Sequence, residues 1–139
     1  MRKLNLNVLL TERDDCLRED MAFMLEDLGC RVHTFKNGLE AAEYHRDNQH
    51  AVDLAILDLS MPAMGGAEAF RIMRARKPGL RAIIMTDGAY GEEIEGLLKA
   101  GVRVILRKPF MAAALTAALR EAMAERPEAR RLTCLPEAS

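Results

Sequence analysis

Short apolar runs alternate along this chain with longer stretches in which apolar residues recur every three or four positions. The runs Asn7–Leu10, Arg31–Phe35, Leu54–Leu57, Ala82–Met85 and Val102–Leu106 predict strands. Between the first two, Leu17, Met21, Met24, Leu25 and Leu28 share one helical face, and Gly29 follows as a stop. Gly38–Asn48 predicts a second helix. Ala67–Arg76 predicts a third, with Phe70 and Met73 inward and Pro78-Gly79 behind it. Glu92–Ala100 and Met111–Glu125 predict two more, the last with Leu115, Ala118, Leu119, Ala122 and Met123 on one face. Strict strand–helix alternation predicts an α/β domain, a parallel sheet with helices on both sides. Residues 126–139 are polar and hold Pro127 and Pro136, so a tail is expected beyond a domain ending near residue 125.

Composition narrows the class. The 139 residues suffice for one domain with a real core, and 50% of them are hydrophobic. A net charge of −1 gives no electrostatic case for direct nucleic-acid or membrane binding. No apolar run approaches the ~20 residues of a membrane span, and the N-terminus lacks a signal-peptide pattern, so a cytoplasmic protein is expected. Cys16, Cys30 and Cys134 form no CxxC pair, and His33, His45 and His50 lack ligand spacing; reduced thiols and packing or exposed histidines are expected.

One strand candidate ends on a carboxylate. Asp58 follows four apolar residues and precedes Met61-Pro62-Ala63-Met64-Gly65-Gly66. Strands buried on both faces belong to parallel sheets, and chemistry in such sheets sits beyond their carboxyl ends. Thr86 and Lys108-Pro109-Phe110 stand at the ends of the fourth and fifth strands, and Glu12-Arg13-Asp14 at the end of the first. Each residue alone has an ordinary explanation, as turn former, strand residue or solvated lysine. Their joint placement at neighbouring strand ends argues for a site.

With these residues placed, residues 4 to 125 resemble a response-regulator receiver domain of two-component signalling. The segment Asp58–Gly66 resembles the family pattern D-x-x-M-P-x-M-x-G. The resemblance implies a flavodoxin-like (βα)5 doubly wound sheet in the order 2-1-3-4-5. It implies a phosphoacceptor at Asp58, a phosphoryl-binding ammonium at Lys108 on a cis Lys-Pro bond, and a hydroxyl at Thr86. It implies Mg²⁺ held by Glu12, Asp58 and the Ser60 backbone carbonyl. The donor would be a sensor histidine kinase or a histidine phosphotransfer protein. A downstream protein would dock on the face of the fourth helix, fifth strand and fifth helix, and a homodimer is a further candidate assembly. Without an effector domain the chain would act in trans, unless it is excised from a longer protein.

Four departures stand out. Arg13 takes the place of an acid that ligates the metal in the family; it is expected to weaken Mg²⁺ binding and to pair with Asp58 or Glu12. Asp87 follows Thr86, where a small residue is usual, so its charge is expected to oppose the phosphoryl group. Ile105 replaces a switching aromatic and is expected to be plain packing. Gly65 replaces an Asp and is expected to add backbone freedom. The basic stretch Arg71, Arg74, Arg76, Lys77 and Arg81 is expected to be a solvated face. These departures keep open a degenerate receiver that serves as a phosphorylation-independent interaction module. An enzyme on the same fold is disfavoured. Thr11–Asp15 is too acidic for a flavin phosphate loop, and Ser60 stands where a haloacid-type phosphatase needs a second Asp.

Overall fold

The computed structural model describes residues 3–88 and 91–125, so the expected tail at 126–139, with Cys134, lies outside the described residues. Ten elements follow in strict alternation: β1 (Asn7–Thr11), α1 (Asp15–Asp27), β2 (Arg31–Phe35), α2 (Gly38–Asp47), β3 (Leu54–Asp58), α3 (Gly66–Arg76), β4 (Ala82–Thr86), α4 (Glu92–Lys99), β5 (Val104–Arg107) and α5 (Ala112–Met123). All strand pairs are parallel, in the order β2-β1-β3-β4-β5. This is the flavodoxin-like architecture. The chain winds one way from β1 to β2 and the other way from β3 onward, so the carboxyl ends of β1 and β3 flank the switch point.

Side-chain alternation along the strands builds two cores. Leu9, Ala55, Leu57, Ala82 and Ile84 face α2, α3 and α4, where they meet Ala41, Phe70, Met73, Ile94 and Leu97. Val8, Leu10, Leu54, Ile56, Ile83 and Met85 face α1 and α5, where they meet Met21, Leu25, Leu115 and Leu119. Every residue of β3 and β4 is buried. A central parallel strand has helices on both sides, so its sequence reads as one apolar run.

Local signals set most boundaries. The Asp14 carboxylate accepts from the Leu17 amide at 3.0 Å and caps α1; Asn37 caps α2 in the same way. Gly29 adopts φ +98° and closes α1. The fifth strand is the exception, running from Val104 to Arg107 where the apolar run predicts Val102–Leu106. The reason is the end of α4. Gly101 is left-handed at φ +113°, and the Val102 amide donates back to the Leu97 carbonyl at 3.0 Å, so Val102 is a helix-capping residue buried in the core.

The basic stretch is not simply solvated. Arg76 donates to the Ala42 carbonyl, Lys77 to the carbonyls of Gln49 and Val52, and Arg81 to that of Met123. The Gln49 and Val52 carbonyls lie in the loop after α2 and that of Met123 at the last residue of α5, so these cations satisfy acceptors that no helical turn covers, while Arg76 adds a second donor to a carbonyl inside α2. Cys16 is exposed, Cys30 is buried, and both are free thiols. His33 stacks on Tyr44 with ring centroids 5.2 Å apart.

His45, on α2, is fully buried and neither ring nitrogen has a hydrogen-bond partner among the described residues. Burial, reinforced by the charges of Lys77 and Arg76, pulls its pKa down to about 4. The unfolded chain therefore takes up this proton before the folded one. The stability held by neutral His45 is complete above the unfolded value of 6.5 and drains away as pH falls towards 4. The loss amounts to up to about 3 kcal/mol. Urea melts from pH 7 to pH 4 should show this slope in wild type and not in His45→Leu. Equal slopes would remove His45 as the cause.

Candidate functional site

The carboxyl ends of β1, β3, β4 and β5 bring the predicted residues together. Asp58 is the last residue of β3 and is 2% exposed. Its backbone N–H donates to the Thr11 hydroxyl at 3.0 Å, which ties the end of β3 to the end of β1. Thr11 is fully buried, and sequence reasoning missed it. The available signal was a lone hydroxyl at the end of an apolar run. Gly66 is packed against the Asp58 carbonyl so closely that a Cβ there would lie 2.9 Å from the Asp58 carbonyl carbon. α3 can begin directly under the acceptor only because Gly66 has no side chain. Gly65 plays a related part. Its φ of −76° is ordinary, so its use is space rather than backbone freedom: a Cβ would sit 2.8 Å from the Leu59 carbonyl oxygen. Just before the two glycines Ala63 holds φ +67° and the Met64 amide donates to the Pro62 carbonyl at 2.6 Å, a γ-turn that a non-glycine residue adopts at a cost.

Glu12 lies just past the end of β1 and is 1% exposed. Its backbone is pinned at both ends, its N–H donating to Phe35 and its carbonyl accepting from the Arg18 guanidinium. Both carboxylate oxygens are engaged. Oε1 accepts from Lys108 Nζ at 3.0 Å and Oε2 from the Asp14 amide at 3.0 Å. The same Lys108 Nζ reaches Asp58 Oδ2 at 3.4 Å. One ammonium therefore bridges two buried carboxylates. The Lys108–Pro109 peptide is cis, and the Lys108 amide donates to the Thr86 carbonyl at 2.8 Å, which sets β5 beside β4 at this end.

Electrostatics follow from this geometry. Burial, and then the neighbouring Glu12 charge, raise the Asp58 pKa to about 6 against the opposing pull of Lys108 and the Ser60 backbone N–H. Burial alone would lower the Lys108 pKa, but its contacts with Glu12 and Asp58 outweigh burial and the net direction is up. Thr86 is buried, and its Oγ1 accepts from the Gly88 amide at 3.1 Å. That contact leaves the hydroxyl hydrogen available to a group arriving over Asp58.

One expectation about charge is corrected. Arg13 pairs with neither Asp58 nor Glu12; its side chain is exposed, and Lys108 holds both carboxylates instead. Glu12 is held inward by Lys108 and by the Asp14 amide, while Arg13 after it stays in water. Asp87 is likewise exposed, whereas Thr86 before it is buried. Ile105 is half-buried against the core under α2, α3 and α4, as plain packing.

The Mg²⁺ expected from the resemblance finds a poor donor set. Asp14 caps α1 and Asp15 pairs with Arg18 at 2.6 Å, so neither acid turns inward to replace the one missing at position 13. Among the described residues no group of three or more His, Cys, Asp or Glu side chains is arranged to hold a metal ion. Glu12 and Asp58 remain, and both already coordinate an ammonium. The backbone carbonyl of exposed Ser60 is the one further donor that the resemblance offers. As arranged, these residues do not fit a resident divalent ion.

Comparison with known proteins agrees with the geometry. The family model described as response regulator receiver domain matches residues 8–120. A two-component response regulator of Arabidopsis thaliana, ARR22, is 30% identical over 110 residues, covering 78% of each chain. The transcription factor SKN7 of Chaetomium thermophilum is 36% identical over 103 residues, which is 74% of this chain and only 14% of that protein. A solved response regulator receiver domain protein from Clostridium thermocellum superposes with a TM-score of 0.80 at 25% identity, covering 85% of this chain and 94% of that one.

Proposed function

Because this chain belongs to the response regulator receiver domain family, we propose that its Asp58 accepts a phosphoryl group from a sensor histidine kinase or a histidine phosphotransfer protein. Receiver domains of this family are signalling modules that take phosphoryl groups from such partners. The observation that carries the reading to this chain is one arrangement: a buried carboxylate at the end of β3, an ammonium 3.4 Å from it, and a buried hydroxyl at the end of the next strand.

The step needs positioning and charge stabilisation more than covalent help from other groups. A carboxylate oxygen of Asp58 attacks phosphorus in line. The bond from phosphorus to the donor imidazole nitrogen breaks, and that nitrogen takes up a proton as it leaves. Near neutral pH Asp58 is mostly ionised, so the nucleophile is in its reactive form. Lys108 follows the phosphoryl oxygens and keeps Glu12 as its second partner. The Thr86 hydroxyl donates to a phosphoryl oxygen. We assign residues 1–125 to the receiver and 126–139 to a tail. The signal would leave through docking of a downstream protein on α4, β5 and α5, in a cytoplasmic setting, with a second copy of the chain as a further candidate partner. No helix among the described residues is long and apolar enough to cross a membrane.

A second reading has one observation behind it. Ile105 is packed where a rotating aromatic would report the phosphorylated state, which favours a docking module that does not switch. Intact mass after treatment with acetyl phosphate, and with a phosphorylated histidine phosphotransfer protein, decides between the two. A gain of one phosphoryl group in wild type and none in Asp58→Asn is expected. No gain from either donor would transfer the case to the docking module.

A further inference from the structure

The site carries its own cation, and a second one stands beside it. Lys108 neutralises one of the two buried carboxylates. Arg13 follows Glu12 directly, is exposed, and makes no ion pair with another described residue, so no ion pair has to break for its guanidinium to turn towards a group arriving at Asp58. Resting on the assignment of Asp58 as phosphoacceptor, we infer that Arg13 and Lys108 together do the work of a divalent metal, so that Asp58 takes the phosphoryl group without one.

Charge counting supports this. On transfer, the single charge of Asp58 gives way to a dianionic phosphoryl group. With Glu12, Lys108 and Arg13 around it, the loaded site carries one net negative charge. A site with an acid at position 13 and a bound divalent ion would carry the same. Without the ion, the acid-bearing site would carry three. Arginine at this position therefore removes the electrostatic need for a metal and at the same time repels one. Guanidinium also suits the task, since its planar fork of donors matches phosphoryl oxygens. In the free protein Arg13 has no buried partner to leave. The dianion is the first ligand at this site that offers it one.

With acetyl phosphate as donor the reaction balances without further reagents. A carboxylate oxygen of Asp58 bonds to phosphorus, the bond from phosphorus to the acetyl oxygen breaks, and acetate leaves with the electron pair. No proton is gained or lost.

Two measurements test the inference on the whole chain. Intact mass follows phosphorylation by acetyl phosphate in EDTA and in Mg²⁺, and calorimetry follows Mg²⁺ binding to the unmodified protein. Wild type should be labelled equally fast in both buffers and give no saturable Mg²⁺ heat. Arg13→Gln should be labelled about ten- to a hundredfold more slowly in EDTA, the loss of one charged hydrogen bond to the transferring group. Arg13→Asp should require Mg²⁺ for labelling and gain saturable binding. Arg13 is exposed, so both variants should melt like wild type. Labelling of wild type only with Mg²⁺, or wild type binding Mg²⁺ as tightly as Arg13→Asp, overturns the inference while leaving Asp58 as the acceptor. No labelling in any buffer, by acetyl phosphate or by a phosphorylated histidine phosphotransfer protein, overturns both.

Discussion

Replacing Lys108 with methionine is expected to cost about 3–5 kcal/mol of stability at neutral pH, the penalty for leaving buried charge without its partner. Glu12 is 1% exposed and Asp58 2%, and Lys108 Nζ, at 3.0 and 3.4 Å, is the cation held between them. Methionine keeps most of the side-chain volume and removes the charge, so packing is nearly unchanged and electrostatics dominate the outcome. Two carboxylates facing each other in a buried site then repel with nothing to offset them.

The pH dependence follows from the sign of the Asp58 shift. Its folded pKa is raised to about 6. The folded state therefore binds this proton more tightly than the unfolded chain, and the destabilisation in Lys108→Met should shrink as pH falls from 7 to 5. Adding Asp58→Asn to Lys108→Met should recover part of the loss at pH 7, because one of the two charges is gone. Urea unfolding of the single and double variants at both pH values measures this. A single variant as stable as wild type at pH 7 would mean that water already screens the pair. Labelling at Asp58 should fail in Lys108→Met even where the protein remains folded.

The second large effect lies in the core. Phe70→Ala should destabilise by about 3–5 kcal/mol, which is a large part of the 5–15 kcal/mol typical of a domain. Phe70 is fully buried on α3, among Ala41, Ala69, Met73 and Leu97, with the Arg74 guanidinium 5.9 Å from its ring centroid. Truncation leaves a cavity on the face of the sheet that α3 covers. α3 begins at Gly66, against the Asp58 carbonyl, so loosening it should also slow labelling of Asp58. Phe23→Ala is the control. Phe23 is 72% exposed, and its loss should change stability by less than about 0.5 kcal/mol. Equal effects of the two changes in urea melts would place the energy in hydrophobic composition rather than in burial.

These contrasts show why parts of the molecule were legible in the sequence. β3 and β4 are recognisable as apolar runs because helices cover both of their faces. Val102 misleads for the same reason: burial makes it apolar, while Gly101 decides that it caps a helix and does not start a strand. Arg13 was visible as a misplaced charge. That it points outward, leaving Lys108 to bridge Glu12 and Asp58, depends on how the end of β1 turns over the sheet. Arg76 and Lys77, at and just past the end of α3, look like a solvated face until the carbonyls to which they donate, at Ala42, Gln49 and Val52, come into view.

The alternation of strands and helices and the residue types at the strand ends were legible in the chain alone, because each of these depends on neighbours within a few positions. Only the tertiary structure decided which charges meet. Lys108 and Glu12 are 96 residues apart, and Asp58 and Thr11 are 47 apart. Such pairings arise from the parallel order of the sheet, which brings the ends of four strands to one edge, and from burial, which turns one of two adjacent charged residues inward and leaves the other in water.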